Sequence, residues 1–322
     1  MGSIVRIIHR TQEVGFNAAW SIAARRIRDA WIRKKIRITK GNHFLSEMDG
    51  YWRSYKKIKK LYLNKLMAMK DCKGSGQFSN IVWWCWLQGE EKCPELQKIC
   101  LNSVRRYLVD RKLIVITNDN LYDYVDFPDY IIEKYKKGYI TNTHFSDMIR
   151  LQLLIKYGGT WIDSSVLCTG YDPILYDKPL FVYKNINYIW YASKKYCRDE
   201  VPLMADNWFI TSEINNPILI TVRDLLFDYW MSHDFIENYF VFHFFFSMVV
   251  NYKYKELYDN IPTISHLLPH MMQNVCFHRV SNETIEHIIA QSSLHKLTHK
   301  VDIDTIDKDC LYMDIIREKK VL

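Results

Sequence analysis

A strongly apolar stretch, residues 144–157 (HFSDMIRLQLLIKY), runs into Gly158–Gly159 and then into Thr160–Trp161–Ile162–Asp163–Ser164–Ser165. The pattern predicts a helix that stops at the glycine pair, because glycine takes the left-handed turn that a helix end requires. Thr160–Ile162 reads as a buried strand with Asp163 at its exit. Asp147 and Arg150 are three residues apart and so share one face of the helix. Helix, tight turn and short strand then carry two acids and a guanidinium towards one pocket. Charges are seldom gathered in such a place without a partner or a ligand. Taken alone, Asp147 and Arg150 also fit a plain helical ion pair, worth only a few tenths of a kcal/mol.

The preceding segment supplies the frame. Ile81–Trp86 is an aromatic, β-favouring run bounded by Gln88–Glu91, Leu96–Tyr107 reads as a helix, and Lys112–Thr117 as a second strand. Strand, helix and strand in that order predict an α/β fold with a mostly parallel central sheet. Nucleotides bind at the carboxyl ends of such strands. Trp86 lies near the end of the first strand, where it suits stacking on a base as well as it suits a core. Trp83 and Trp84 read as core.

Ser146–Asp147 and Arg150, about a dozen and a half residues before Asp163, with Gly158–Gly159 and Trp161–Ile162 between, form an SD-x-x-R…GG-x-[WY]-[ILV]-D-x-[DST] pattern. It resembles the donor-site signature of the DXD-type sugar transferases. More narrowly it is similar to the bacterial capsular polysaccharide synthesis glycosyltransferases, relatives of glycosyltransferase family 32, and at greater distance to the clostridial glucosylating toxins. Residues 81–91, 129–147, 207–218 and 294–300 carry the rest, so the resemblance spans roughly residues 78–300. It implies a GT-A-like nucleotide-sugar-binding domain over residues 77–322, with helical C-terminal additions, and a UDP- or GDP-hexose as donor. Asp147 and Arg150 would grip hydroxyls of the donor sugar, and Asp163 would meet the nucleotide sugar and its metal. Trp86 would face the base, Ser165 would stand at the third triplet position, and Asn207, with Asp206, would reach the reacting sugar. His295 and Lys296, in LHKLTHK, would close on the diphosphate. Mn²⁺ or Mg²⁺ would bind through Asp163, with His295 as a second candidate ligand. Serine is a poor metal ligand beside carboxylate, so the triplet Asp163–Ser164–Ser165 leaves metal dependence open. Retention of anomeric configuration is the outcome that the resemblance implies.

Charge divides the chain. Residues 1–70 hold 17 Lys and Arg against 4 Asp and Glu, whereas residues 71–322 hold 27 against 32. That asymmetry sets residues 1–76 apart as a basic helical appendage. Phe16, Trp20, Ile27, Trp31 and Ile38 fall on one stripe of a helix over 14–38, with Arg25, Arg26, Arg28, Arg33 and Arg37 on its flanks and back. Trp52, Tyr55, Tyr62, Leu66 and Met69 mark a second helix, and Lys73–Gly76 a joint after it. Three readings stay open: an anchor on an anionic membrane surface through residues 14–70, a helical pair docked on the catalytic domain, and nucleic-acid binding. No nucleic-acid reading motif accompanies the basic helices, so no nucleic-acid partner is expected.

No run reaches the roughly 20 apolar residues of a membrane span. Residues 239–250 come nearest and contain His243. Arginines interrupt the early apolar runs, which argues against a signal peptide. Eight cysteines show no CxxC pair and read as reduced thiols. A cytoplasmic protein, peripheral on the inner face of the membrane, is expected. Its partners would be a nucleotide sugar and a glycan or lipid-linked oligosaccharide acceptor; oligomeric state is not legible. Two rivals persist: a polysaccharide hydrolase, which needs two opposed acids, and a non-catalytic membrane scaffold of polysaccharide assembly.

Overall fold

The computed structural model describes residues 43–186 and 200–317, together with Ala24, Ile27 and Trp31. The amphipathic helix expected over 14–38 lies outside the described residues, those three apart.

Five strands form the central sheet: β1 (Ile81–Cys85), β2 (Lys112–Ile116), β3 (Gly159–Ile162), β5 (Leu180–Lys184) and β6 (Ala205–Ser212), in the order β2-β1-β3-β6-β5. β1 runs parallel to both β2 and β3, while β6 runs antiparallel to β3 and β5. The sheet is thus mostly parallel, as expected, with one reversed strand. The chain leaves β1 through helix α2 (Glu95–Tyr107) for β2 on one side. It then passes through the short helices α3 (Leu121–Tyr124) and α4 (Asp129–Lys136) and returns to β3 on the other side. Order therefore reverses between β1 and β3, and the crevice beyond their carboxyl ends is where such sheets hold ligands. A small antiparallel pair, β4 (Val166–Cys168) with β7 (Leu294–Lys296), lies just past the exit of β3.

The glycine pair makes this geometry. Helix α5 (Asn142–Tyr157) ends at Gly158, φ 63°, and Gly159 opens β3 at φ 89°. A Cβ on Gly159 would stand 2.4 Å from the Ile81 carbonyl oxygen, so only glycine lets β3 lie this close to β1. The Gly158 carbonyl accepts from Trp83 Nε1 at 2.9 Å, which satisfies a fully buried indole.

Helices α6 (Pro217–Ser232) and α7 (Val241–Tyr252) complete the core behind α5 and β6. Helix α1 (His43–Ala68) lies against α7 and α6. Its Tyr55, Ile58, Tyr62 and Leu66 belong to the same continuous apolar cluster as the sheet. Burial of this stripe is worth roughly 1.5–3 kcal/mol per large side chain. Glu200 adds a polar tie: it accepts from Lys59 Nζ at 2.9 Å, from Tyr252 Oη at 2.7 Å, and from Tyr55 Oη. Residues 43–76 therefore differ from the rest of the chain in charge while α1 shares its core. No helix of the described residues is long and apolar enough to cross a membrane.

Candidate active site

Helix α5 presents Asp147 and Arg150 one turn apart on its buried face, and Thr141 caps its N-terminus by accepting from the His144 amide. Asp163 follows β3 directly. Asn207 comes from the reversed strand β6, and Lys296 from the last position of β7. Four separate elements thus meet at the carboxyl ends of the parallel strands, beside the crevice between β1 and β3.

Arg150 is the centre of the arrangement. Its Nη1 donates to Asp147 Oδ1 at 2.6 Å and its Nη2 to Asp163 Oδ1 at 2.9 Å. The guanidinium also lies over the Trp161 ring, 4.8 Å from the centroid. Asp147 Oδ1 accepts a second bond, from Asn207 Nδ2 at 2.8 Å. Asp163 Oδ1 accepts from Trp161 Nε1 at 2.8 Å, and Asp163 Oδ2 from Lys296 Nζ at 3.1 Å. Lys296 Nζ donates in turn to Ser165 Oγ at 2.7 Å. Asp147 and Arg150 are buried, at 5% and 3% exposure, whereas the Asp163 side chain keeps 26%. The pair on α5 forms the floor, and Asp163 faces outwards.

The electrostatics follow from that depth. Burial pushes the Asp147 carboxyl above the usual range, against the opposing pull of Arg150 and His144. Burial pushes Asp163 upwards too, but Lys296, Arg150 and the Trp161 hydrogen bond outweigh it and hold this carboxyl below the usual range. Asp163 is therefore an anion at neutral pH. Arg150 Nε, fully enclosed, has no hydrogen-bond partner among the described residues. A buried N–H left unmatched costs about 1–3 kcal/mol.

Of the residues expected at the site, Asp147, Arg150, Asp163, Ser165, Asn207 and Lys296 are joined by direct hydrogen bonds. Trp86 stands half-buried after β1, packed against the cluster of Trp84, Cys93 and Leu101, with its Nε1 unpartnered among the described residues. It lies at the same end of the sheet but outside that network. His295 does not join: alternation along β7 turns it to the face opposite Lys296. There it is fully buried, 3.0 Å from Thr169 Oγ1, and burial lowers its pKa to about 4. Asp206 likewise turns to the other side of β6 from Asn207 and accepts from Trp208 Nε1 at 2.9 Å.

Two neighbours of the site, His243 and Tyr239, are visible in the sequence only as part of the apolar run 239–250, which does not assign them to the site. His243, on α7, is 9% exposed; burial lowers its pKa to about 3, with the Arg150 charge contributing and Asp163 opposing. Its neighbours Val241, Phe242 and Phe244–Phe246 are apolar, so little but its own polarity marks it. Tyr239 forms part of the rim, where the charges of Asp147 and Asp163 add to burial in raising its phenol and Lys300 Nζ lies 5.9 Å from its ring centre. Loop residues of this kind carry no periodic signal.

The side chains present offer a divalent cation one carboxylate, Asp163, and that carboxylate already has an ammonium partner. An ion such as Mg²⁺ takes oxygen ligands, one or two of them carboxylates and the rest substrate phosphates and water. Here the triplet offers one acid and two serines, and both Asp163 oxygens already accept from cationic or indole donors. Among the described residues no group of three or more His, Cys, Asp or Glu is arranged to hold a metal. The place between Asp163 and Ser165 is filled by an ammonium. A lysine and a divalent ion about 4 Å apart repel by roughly 8 kcal/mol at an effective dielectric of about 20.

A family model described as "Capsular polysaccharide synthesis protein" matches residues 33–315. Among solved structures, the chain is similar to one described as "PaToxG Glycosyltransferase", with 14% identity and a TM-score of 0.36 over 65% of this chain and 84% of that one. No curated protein matches at a significant level.

Proposed function

The chain belongs to the capsular polysaccharide synthesis protein family, and from that premise we propose that it is a glycosyltransferase of the GT-A type. It moves a hexosyl unit from a UDP- or GDP-sugar to a growing, lipid-linked surface polysaccharide, with retention at the anomeric carbon. The observation that carries this reading is the bridge from Arg150 to both Asp147 and Asp163, set at the carboxyl ends of β1 and β3.

Each residue has a task in that reaction. Asp147, oriented by Arg150 and Asn207, keeps unused acceptor capacity for sugar hydroxyls. Charged hydrogen bonds of this kind are worth roughly 1.5–3 kcal/mol each. Trp86 provides a flat face for the base. Asp163, ionised and a quarter exposed, lies beside the anomeric centre, where positive charge develops as the glycosidic bond to phosphate breaks. Its charge favours that oxocarbenium-like state. Lys296 faces the opposite charge, on the departing diphosphate. The acceptor oxygen bonds to the anomeric carbon and its proton passes to the diphosphate, so no strong protein base is needed. Rate then comes from holding donor and acceptor together and from fixed charges aimed at the transition state.

The hydrolase reading is weaker because both acids are tied to one guanidinium instead of standing on opposite sides of a bond. The test is a panel of UDP- and GDP-hexoses assayed for donor hydrolysis and for transfer, with Asp163→Ala in parallel. The expected result is turnover of one donor class by the wild type. The variant should lose it by at least about a hundredfold and keep a cooperative thermal transition. Full activity in Asp163→Ala, or cleavage of an unactivated polysaccharide without any nucleotide, would overturn the assignment.

A further inference from the structure

In sugar transferases that carry two acids in the triplet, a divalent ion neutralises the diphosphate. The present chain has neither the second acid nor an open position beside the first. Lys296 Nζ lies 3.1 Å from Asp163 Oδ2 and 2.7 Å from Ser165 Oγ, bridging the two ends of the triplet. We propose that Lys296 is the resident cation of this site and does the work of the divalent metal, so that the enzyme transfers sugar without one. The inference rests on the transferase reading above.

The position of the lysine is built, not incidental. β7 pairs antiparallel with β4, with Val166 opposite Lys296, and the Leu297 amide donates to the Ser165 carbonyl at 2.8 Å. The strand that follows Asp163 within three residues therefore carries the lysine's own backbone partner. Neighbouring His295 is locked on the far side of β7, fully buried, so the strand cannot rotate Lys296 away without exposing it. The ammonium is held by geometry of the kind that a catalytic charge needs, in place before substrate arrives. Three donors on one ammonium leave one for a phosphate oxygen once Asp163 and Ser165 have taken theirs. Lys300, over Tyr239 at the rim, adds a second cation on the same side.

Charge balance agrees. Asp147 and Asp163 are matched by Arg150 and Lys296, so the pocket is close to neutral before a diphosphate enters. As the bond from the anomeric carbon to the diphosphate oxygen breaks, its electron pair stays on the diphosphate, beside Lys296. The acceptor oxygen closes the new bond and releases its proton to that same leaving group. No oxidant, reductant or further reactant is required.

The experiment uses the full chain and the donor selected by the nucleotide-sugar panel. Turnover is measured after exhaustive treatment with EDTA and again with added Mn²⁺, and Mn²⁺ binding is followed by electron paramagnetic resonance with UDP and with GDP present. Wild-type kcat should agree within about twofold across the two conditions, and the Mn²⁺ spectrum should be that of the nucleotide complex alone. Lys296→Met, which keeps the stem, should lower kcat by about a hundredfold or more with a smaller change in KM, and Lys296→Arg should recover part of it. The double variant Ser165→Asp with Lys296→Ala supplies a second acid and vacates the position. It should acquire Mn²⁺ dependence and a protein-bound Mn²⁺ signal. Wild-type activity that vanishes in EDTA and returns with Mn²⁺ would overturn the proposal, as would Lys296→Met turning over at the wild-type rate. Failure of every nucleotide sugar under both conditions would remove the transferase reading itself, and this inference with it.

Discussion

At the scale of single residues, two histidines set how the protein responds to acid. His243 and His295 are buried and neutral, with pKa values lowered to about 3 and about 4. In the unfolded chain both titrate near 6.5. As pH falls below about 6.5 the unfolded state takes up protons that the folded state refuses, so stability declines from there towards pH 4. The slope is at most about 1.4 kcal/mol per pH unit for each histidine. Above pH 6.5 neither contributes. Asp163 acts in the same direction but lower, since its depressed carboxyl protonates only below the ordinary carboxylate range. Thermal midpoints measured from pH 7.5 to 4.5 should therefore fall, and a His243→Leu, His295→Gln double variant should flatten the fall. An unchanged slope would show that neither ring is neutral in the fold. The sequence discloses these two residues unequally. His295 stands out in a basic motif, yet strand alternation sends it away from the site. His243 is visible as the polar residue of an apolar run, but nothing in that run places it beside Arg150.

At the scale of elements, the turn between α5 and β3 decides whether a site exists. Gly159 has φ 89° and would place a Cβ 2.4 Å from the Ile81 carbonyl oxygen, a backbone atom that cannot step aside cheaply. Gly159→Ala combines backbone strain of about 1–3 kcal/mol with separation of β3 from β1. Urea denaturation should report a loss of at least about 2 kcal/mol, and donor turnover should fall with it because Asp163 moves relative to Arg150. A variant as stable and active as the wild type would refute the close-approach argument. This turn is legible in the amino-acid sequence itself. Apolar helix, glycine pair, strand and acid are local signals, and the expected α/β sheet follows from strand, helix and strand in chain order. The reversal of β6 and the pairing of β4 with β7 are not legible there. Each depends on partners far apart in the chain, and short strands carry too few side chains to advertise whom they meet. Helix α1 shows the same limit: its stripe of Tyr55, Ile58, Tyr62 and Leu66 predicts a helix, but not that α7 and α6 cover it.

At the scale of the whole molecule, charge and core divide the chain differently. The first 70 residues carry a net excess of 13 positive charges, while the remainder is mildly acidic. α1 nonetheless packs into the main core and turns Lys56 and Lys60 to solvent. Tyr51 near its start lies 5.0 Å from Phe240, the neighbour of Tyr239 at the rim of the site. A basic surface on this side would hold the pocket close to a membrane bearing a lipid-linked acceptor, with each nearby cation worth about 1 kcal/mol against anionic lipid. Sedimentation with phosphatidylglycerol vesicles tests this. Trp20→Glu with Trp31→Glu should shift the protein to the supernatant, and rising salt should do the same to the wild type. Partitioning that ignores both changes would favour helices that serve only to cover the core.

The small β4–β7 pair also has a temporal meaning. Asp147 and Arg150 find each other across one helical turn, whereas Lys296 reaches Asp163 from 133 positions further along the chain. Asp147, Arg150 and Asp163 are thus synthesised well before the lysine that meets Asp163. A chain cut before residue 294 would keep the Asp147–Arg150 pair and lose β7 with the ammonium that Asp163 and Ser165 meet.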